Sequence, residues 1–179
     1  MDSLDNFATK IDSLNEWVGR TAAWLALAMV LIQFLVVVMR YVFGVGSIMM
    51  QESVIYMHAF LFLIGAGYTL LRGGHVRVDV FYREATPRKK AITDLIGVFV
   101  FLIPVCAVIG WFSWPYVVSS WAVFEGSKET SGIQGVFVLK TAIIAFTALI
   151  TLQGISMALR CILIIKGVAP PLAVEVERI

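Results

Sequence analysis

Apolar residues fill four long runs in this chain, and short polar stretches separate them. The run over 21–39, at about 1.5 Å per helical residue, reaches nearly across a hydrocarbon core about 30 Å thick. It closes on Arg40-Tyr41-Val42-Phe43-Gly44: a cation in the last turn, an aromatic pair for the interface and a glycine stop. Spans are predicted over 21–43, 53–71, 92–121 and 136–162, an all-α polytopic membrane protein with four transmembrane helices. Ahead of them, Leu4, Phe7, Ile11, Leu14 and Trp17 recur every three or four residues, while Asp5, Lys10, Asp12 and Glu16 fall elsewhere on the wheel. Residues 1–20 therefore read as an N-terminal amphipathic helix in the headgroup plane, with Trp17 as interfacial anchor. A solvated leader is the alternative.

The second run opens on Gln51-Glu52 and carries His58 and the cluster Gly65-Ala66-Gly67, where small residues favour close helix approach. The short hairpin from the first span places Arg40 and Glu52 at one membrane face, and a salt bridge between them is expected. Arg72-Gly73-Gly74 stops the helix. From Val76 to Arg83 the alternation imitates a strand, but a lone strand would leave its backbone unpaired, so a basic interfacial connector, partly helical, is expected. Thr86-Pro87 reads as cap and first residue of a third helix longer than the bilayer, bent at Pro104 and Pro115. Trp111, Trp114, Tyr116 and Trp121 form an aromatic girdle at its far end. Residues 124–134 form a loop. In the fourth run Lys140 can snorkel at the start and Gly154 and Ala158 offer a small-residue pair. Pro170-Pro171 ends the pattern, leaving 167–179 as a tail.

Composition agrees: 60% of the 179 residues are hydrophobic, against about 45–50% in soluble domains. One membrane domain, 21–166, is the economical reading. Acidic and basic residues alternate before the first run, unlike a cleaved signal peptide, so that span is expected to be retained. The connector between spans two and three holds Arg72, Arg77, Arg83, Arg88, Lys89 and Lys90, whereas residues 44–51 hold no lysine or arginine. The positive-inside rule puts that connector and both termini in the cytoplasm. Cys106 and Cys161 lie within apolar runs and read as small hydrophobes.

Little reactive chemistry is present. His58 and His75, if on one helix, stand about 25 Å apart and cannot share a haem iron. There is no intramembrane carboxylate pair, no CxxC, no phosphate loop after a strand and no internal repeat with broken helices. His58 is read as a hydrogen-bonding contact to a neighbouring helix. No catalytic, cofactor or metal residue is assigned, nucleic acid is not an expected partner, and the chain reads as a non-enzymatic component among membrane lipid.

The sequences RYVFG (40–44), QES (51–53), FLFLIGAGYTLLRGGHVRVDVFY (60–82) and LQGISMALR (152–160) resemble the DctQ-like small membrane subunit of tripartite ATP-independent periplasmic (TRAP) transporters. The likeness covers roughly 20–165. The family often shows two acidic residues at the start of span two; here Gln51 precedes Glu52. The resemblance implies a bacterial or archaeal cytoplasmic membrane, a large multi-span subunit carrying substrate and sodium, and a periplasmic substrate-binding protein. It implies a non-catalytic scaffold for uptake of organic acids by sodium-coupled symport. Arg40 and Glu52 at one hairpin, and His75, Arg77 and Asp79 at the connector, would serve structure or subunit contact. Two other classes stay open. A redox-enzyme membrane anchor needs haem ligands scarcely offered here, and an autonomous small dimeric exporter needs a mid-span carboxylate, whereas Glu52 lies at a span's end.

Overall fold

The computed structural model describes residues 2–75, 82 and 84–167. Helices α1 (Asp2–Val42), α2 (Ile48–Leu71), α3 (Pro87–Gly97), a π-helical stretch (Val98–Leu102), α4 (Ile103–Ala122) and α5 (Val136–Ile165) follow in order, with no strand among the described residues. They make four rods, each long and apolar enough to cross a membrane.

The first rod differs from the expected pair of segments. No break separates 1–20 from the span; α1 runs unbroken for 41 residues, about 60 Å, twice the hydrocarbon thickness. A lone helical glycine at Gly19 costs only about 1 kcal/mol, and packing on either side of it carries the helix through. The first half also faces the other way from an interfacial helix. Ala8, Ile11 and Asn15 are buried while Leu4, Phe7, Leu14 and Trp17 are exposed, so the side turned inward against α5 is a mixed one that carries Asn15 and Asp12 beside Ala8 and Ile11.

Helix α2 starts five residues before its apolar run because the Ser47 hydroxyl accepts from the Met50 N–H (3.4 Å), capping a turn that hydropathy alone does not mark. Glycines in the left-handed region end the first two rods: Gly44 (φ 67°) after α1, Gly73 (φ 64°) after α2. The Thr86 hydroxyl caps α3 and Pro87 opens it. The third rod changes from α to π bonding just ahead of Pro104, where the Ile103 N–H reaches back five residues to Val98 C=O. Proline lacks an N–H and its ring crowds the carbonyl four residues back, and the wider turn gives that carbonyl room. Helix α4 continues through Pro115.

Helix α5 is the hub, touching α1, α2, α3 and α4, whereas α4 packs on α5 alone apart from its own rod. Its two faces divide the work. Gly154 meets Leu102 and Val98 of the third rod, while Gln153 and Ser156 face α1. Outward, the rods present Trp24, Phe34, Phe62, Trp111 and Phe112, the surface a lipid-facing bundle shows.

Candidate functional site

Two polar clusters stand out, one at each end of the bundle. At the Arg72 end, Asp12 of α1 takes a hydrogen bond from Gln153 Nε2 (2.9 Å), one from the Ser156 hydroxyl (2.6 Å) and two from Arg160, Nε at 3.0 Å and Nη2 at 2.5 Å. Asn15 Nδ2 donates to Gln153 Oε1 (2.9 Å), and Arg160 also reaches Asp5 (3.5 Å). Asn15 has no exposed surface, and its Oδ1 faces Gly67 of α2, where a β-carbon would lie 2.2 Å away. Beside this, Glu16 takes Arg20 (2.5 Å) and Arg72 of α2 (2.5 and 2.6 Å). Three helices are thus joined by charge-assisted hydrogen bonds, the Asp12–Arg160 set partly shielded from water and the Glu16–Arg72 pair open to it.

At the Glu52 end, the loop between α4 and α5 is strapped twice. Glu52 Oε1 accepts from the Ser127 hydroxyl and Oε2 from the Ile133 N–H (2.6 Å). Glu125 accepts from the Ser120 hydroxyl (2.7 Å) and pairs with Lys140, whose ammonium lies 3.9 Å from the Tyr116 ring centre. Trp121 Nε1 donates to Thr141 Oγ1 (2.9 Å) and its ring meets Phe137 edge-on. Phe124 closes α4 with a positive φ of 45°, a place glycine usually takes, its N–H on Trp121 C=O and the Glu125 N–H on Ser120 C=O.

Two predictions follow from the straps. Glu52→Ala removes both acceptors at once. With its acceptor gone, amide exchange at Ile133 is expected to quicken measurably, while Arg40→Ala leaves it unchanged. Equal rates in the three proteins would show that the loop does not depend on Glu52.

The Lys140 ammonium, and then the Ser120 hydroxyl, hold the Glu125 carboxyl below the ordinary carboxylate range. A carboxyl whose pKa is lower folded than unfolded stabilises above its unfolded value and loses that contribution as pH falls through the folded one. Proteolysis of the 123–135 loop should therefore be flat from neutrality down to about pH 4.3 and rise only below it, with Glu125→Gln flattening the rise.

The structure does not bring Arg40 to Glu52. Arg40 is exposed and in no ion pair with any described residue, because Glu52 turns toward the loop that follows α4. His58 is exposed, its ring stacked on Phe62 at 6.3 Å, with no hydrogen bond to any described residue. His75 is exposed just past α2; Arg77 and Asp79 lie outside the described residues, as does most of the connector. Tyr82, at the connector's end, donates to Asp94 of α3 (2.6 Å). Trp17, Trp111, Trp114 and Trp121 are all exposed, and Trp111 and Trp114 line a shallow groove with Gly110 and Pro115. Among the described residues no three His, Cys, Asp or Glu side chains gather to hold a metal ion.

Sequence reading missed Asp12, Asn15, Gln153, Ser156 and Arg160. The signal was there: polar residues at i, i+3 and i+7 within LQGISMALR line one helical face, as Asp12 and Asn15 do in the first helix.

A family model described as the DctQ component of tripartite ATP-independent periplasmic transporters matches residues 29–163, more than half of the chain. The chain is also 32% identical over 106 residues to the C4-dicarboxylate TRAP transporter small permease protein DctQ of Vibrio cholerae serotype O1. That alignment covers 59% of this chain and 44% of the relative, so the match spans less than half of the curated protein's length. No solved structure matches. With the family match running from mid-α1 to the last turn of α5, across all four membrane rods, the chain belongs to the DctQ component family, the small membrane subunits of TRAP transporters.

Proposed function

We propose that this chain is a fixed frame for a large, ion-coupled membrane subunit, and takes no part itself in carrying substrate. The observation that carries this reading is how the buried polar groups are spent. Asp12, Asn15, Gln153, Ser156 and Arg160 lock α1 to α5, and Glu52 and Glu125 lock the α4–α5 loop. A carrier needs ionisable groups free to exchange partners along a path through the bundle. These are held in place, and most of the outward surface is hydrocarbon and aromatic.

In this reading the cationic connector, with Arg72, Arg88, Lys89 and Lys90, faces the cytoplasm together with both termini. The strapped loop at Glu52 then faces the periplasm, where its exposed tip, Lys128 to Ser131, is available to a substrate-binding protein. The transported solute is an organic acid, by the resemblance and by analogy with the C4-dicarboxylate transporter subunit of Vibrio cholerae, and the coupling ion is sodium, bound in the large subunit.

The test is reconstitution. Liposomes holding the large subunit, this chain and the binding protein are expected to take up organic acid under an inward sodium gradient, and omitting this chain should abolish uptake. Uptake by this chain alone would overturn the proposal, as would its failure to co-purify with any large multi-span subunit.

A further inference from the structure

Helix α2 begins at Ile48, so His58 lies about 15 Å from that end and about 20 Å from Leu71, near the middle of the membrane rather than one turn below its surface. Its ring is exposed, stacks on Phe62 and makes no hydrogen bond to any described residue. A ring N–H and a ring acceptor left facing hydrocarbon cost several kcal/mol between them, and a side chain at mid-depth has no headgroup within reach to snorkel to. On the same outward face, seven residues on, Gly65 has nothing within 4 Å of the position a β-carbon would take, so another backbone could lie close against it. Gln33 of α1 is likewise exposed at comparable depth without a hydrogen bond to any described residue, and the buried Tyr56 hydroxyl of α2 has no partner among them. The outward surface of the third rod is less polar: Phe101, Val105, Val108 and Phe112 are hydrocarbon, and Trp111 adds a single ring N–H with no acceptor to satisfy.

We propose that the outward face of α2 centred on His58 and Gly65 is where the large membrane subunit docks, through a transmembrane helix that packs at Gly65 and supplies a hydrogen-bonding side chain or backbone carbonyl to the His58 ring. This rests on the frame reading above and adds to it the face and the chemistry of the contact. Polarity selects the occupant. Acyl chains satisfy no imidazole, whereas a helix carrying a polar group satisfies it and is itself satisfied.

The experiment places the photo-crosslinking residue p-benzoylphenylalanine at position 58 and, separately, at position 105 on α4, in cells making the full transporter. Position 58 is expected to give an adduct of this chain with the large subunit, in at least about tenfold greater yield than position 105. A doubled mass from two copies of this chain, or no protein adduct from position 58, overturns the assignment. The unsubstituted tagged chain is purified in parallel. If it brings down the large subunit while position 58 stays silent, the face is wrong and the frame reading stands; if it brings down none, the frame reading itself has failed. His58→Leu should lower recovery of the large subunit several-fold and His58→Gln should restore most of it, since glutamine keeps a donor and an acceptor. Equal recovery with leucine and glutamine would show that the ring's hydrogen bonding plays no part.

Discussion

Gly19→Ala is expected to separate α1 from α2. The added methyl carbon would sit 2.3 Å from both Cβ and Cγ of Tyr68. These are the root atoms of the side chain, so turning the ring gives no relief and the helices themselves must part. Overpacking of this kind costs about 1–3 kcal/mol, and a contact with atoms fixed close to the backbone belongs at the upper end. Separation here also pulls Arg72 from Glu16, because both pairs lie along the same α1–α2 seam. The measurement is unfolding of the purified chain in mild detergent. Gly97→Ala is the control: nothing lies within 4 Å of the new carbon, and alanine's better helix propensity should leave stability equal or raised by up to about 1 kcal/mol. A second variant, Gly19→Ala with Tyr68→Ala, should recover part of the loss. Loss from Gly97→Ala as large as that from Gly19→Ala would mean that the close approach is not what matters.

Asp12→Asn should rank next. Asparagine keeps the shape but removes the charge on which Arg160 rests, and the Asp12 and Arg160 side chains are only 17% and 30% exposed. Breaking a buried pair by removing one member costs about 3–5 kcal/mol; with Arg160 partly open to water, about 2–3 is expected. Ser156 and Gln153 lose their acceptor's charge in the same step. Arg160→Ala should cost a similar amount, and the double variant clearly less than the sum, since the partners share one interaction. Strict additivity would show that the two side chains do not stabilise the fold through each other.

The four rods were legible because a run of apolar residues long enough to cross the bilayer needs no partner to be recognised. Thr86-Pro87 was legible for a related reason: a cap and a proline act on their own backbone. What lay opposite what was not. Gly65-Ala66-Gly67 reads as one packing cluster, yet Gly67 meets Asn15 and α5 whereas Gly65 faces outward. Arg40 and Glu52 are neighbours across a hairpin, and their opposite charges suggest a pair, but two nearer donors from the α4–α5 loop take the carboxylate. The polar stripe of α1 was visible too. Its sense was inverted because a soluble or interfacial helix hides its apolar face, while a helix in lipid hides its polar one.

The π-helical stretch takes up one residue more than regular α-helix would hold. Eight residues of regular α-helix would set Cys106 about 80° round from Val98, yet both are buried, and α4 has only α5 to be buried against. The extra residue that π bonding holds per turn absorbs the difference. Deleting any one of residues 98–102 would restore unbroken α-helix and leave composition almost unchanged. Cys106 would then stand seven α-helical residues from Val98, only about 20° round, so Cys106 and Val117 should keep their places against α5. A one-codon deletion should therefore be borne better along this stretch than elsewhere in the third rod, where it would turn everything beyond by about 100°.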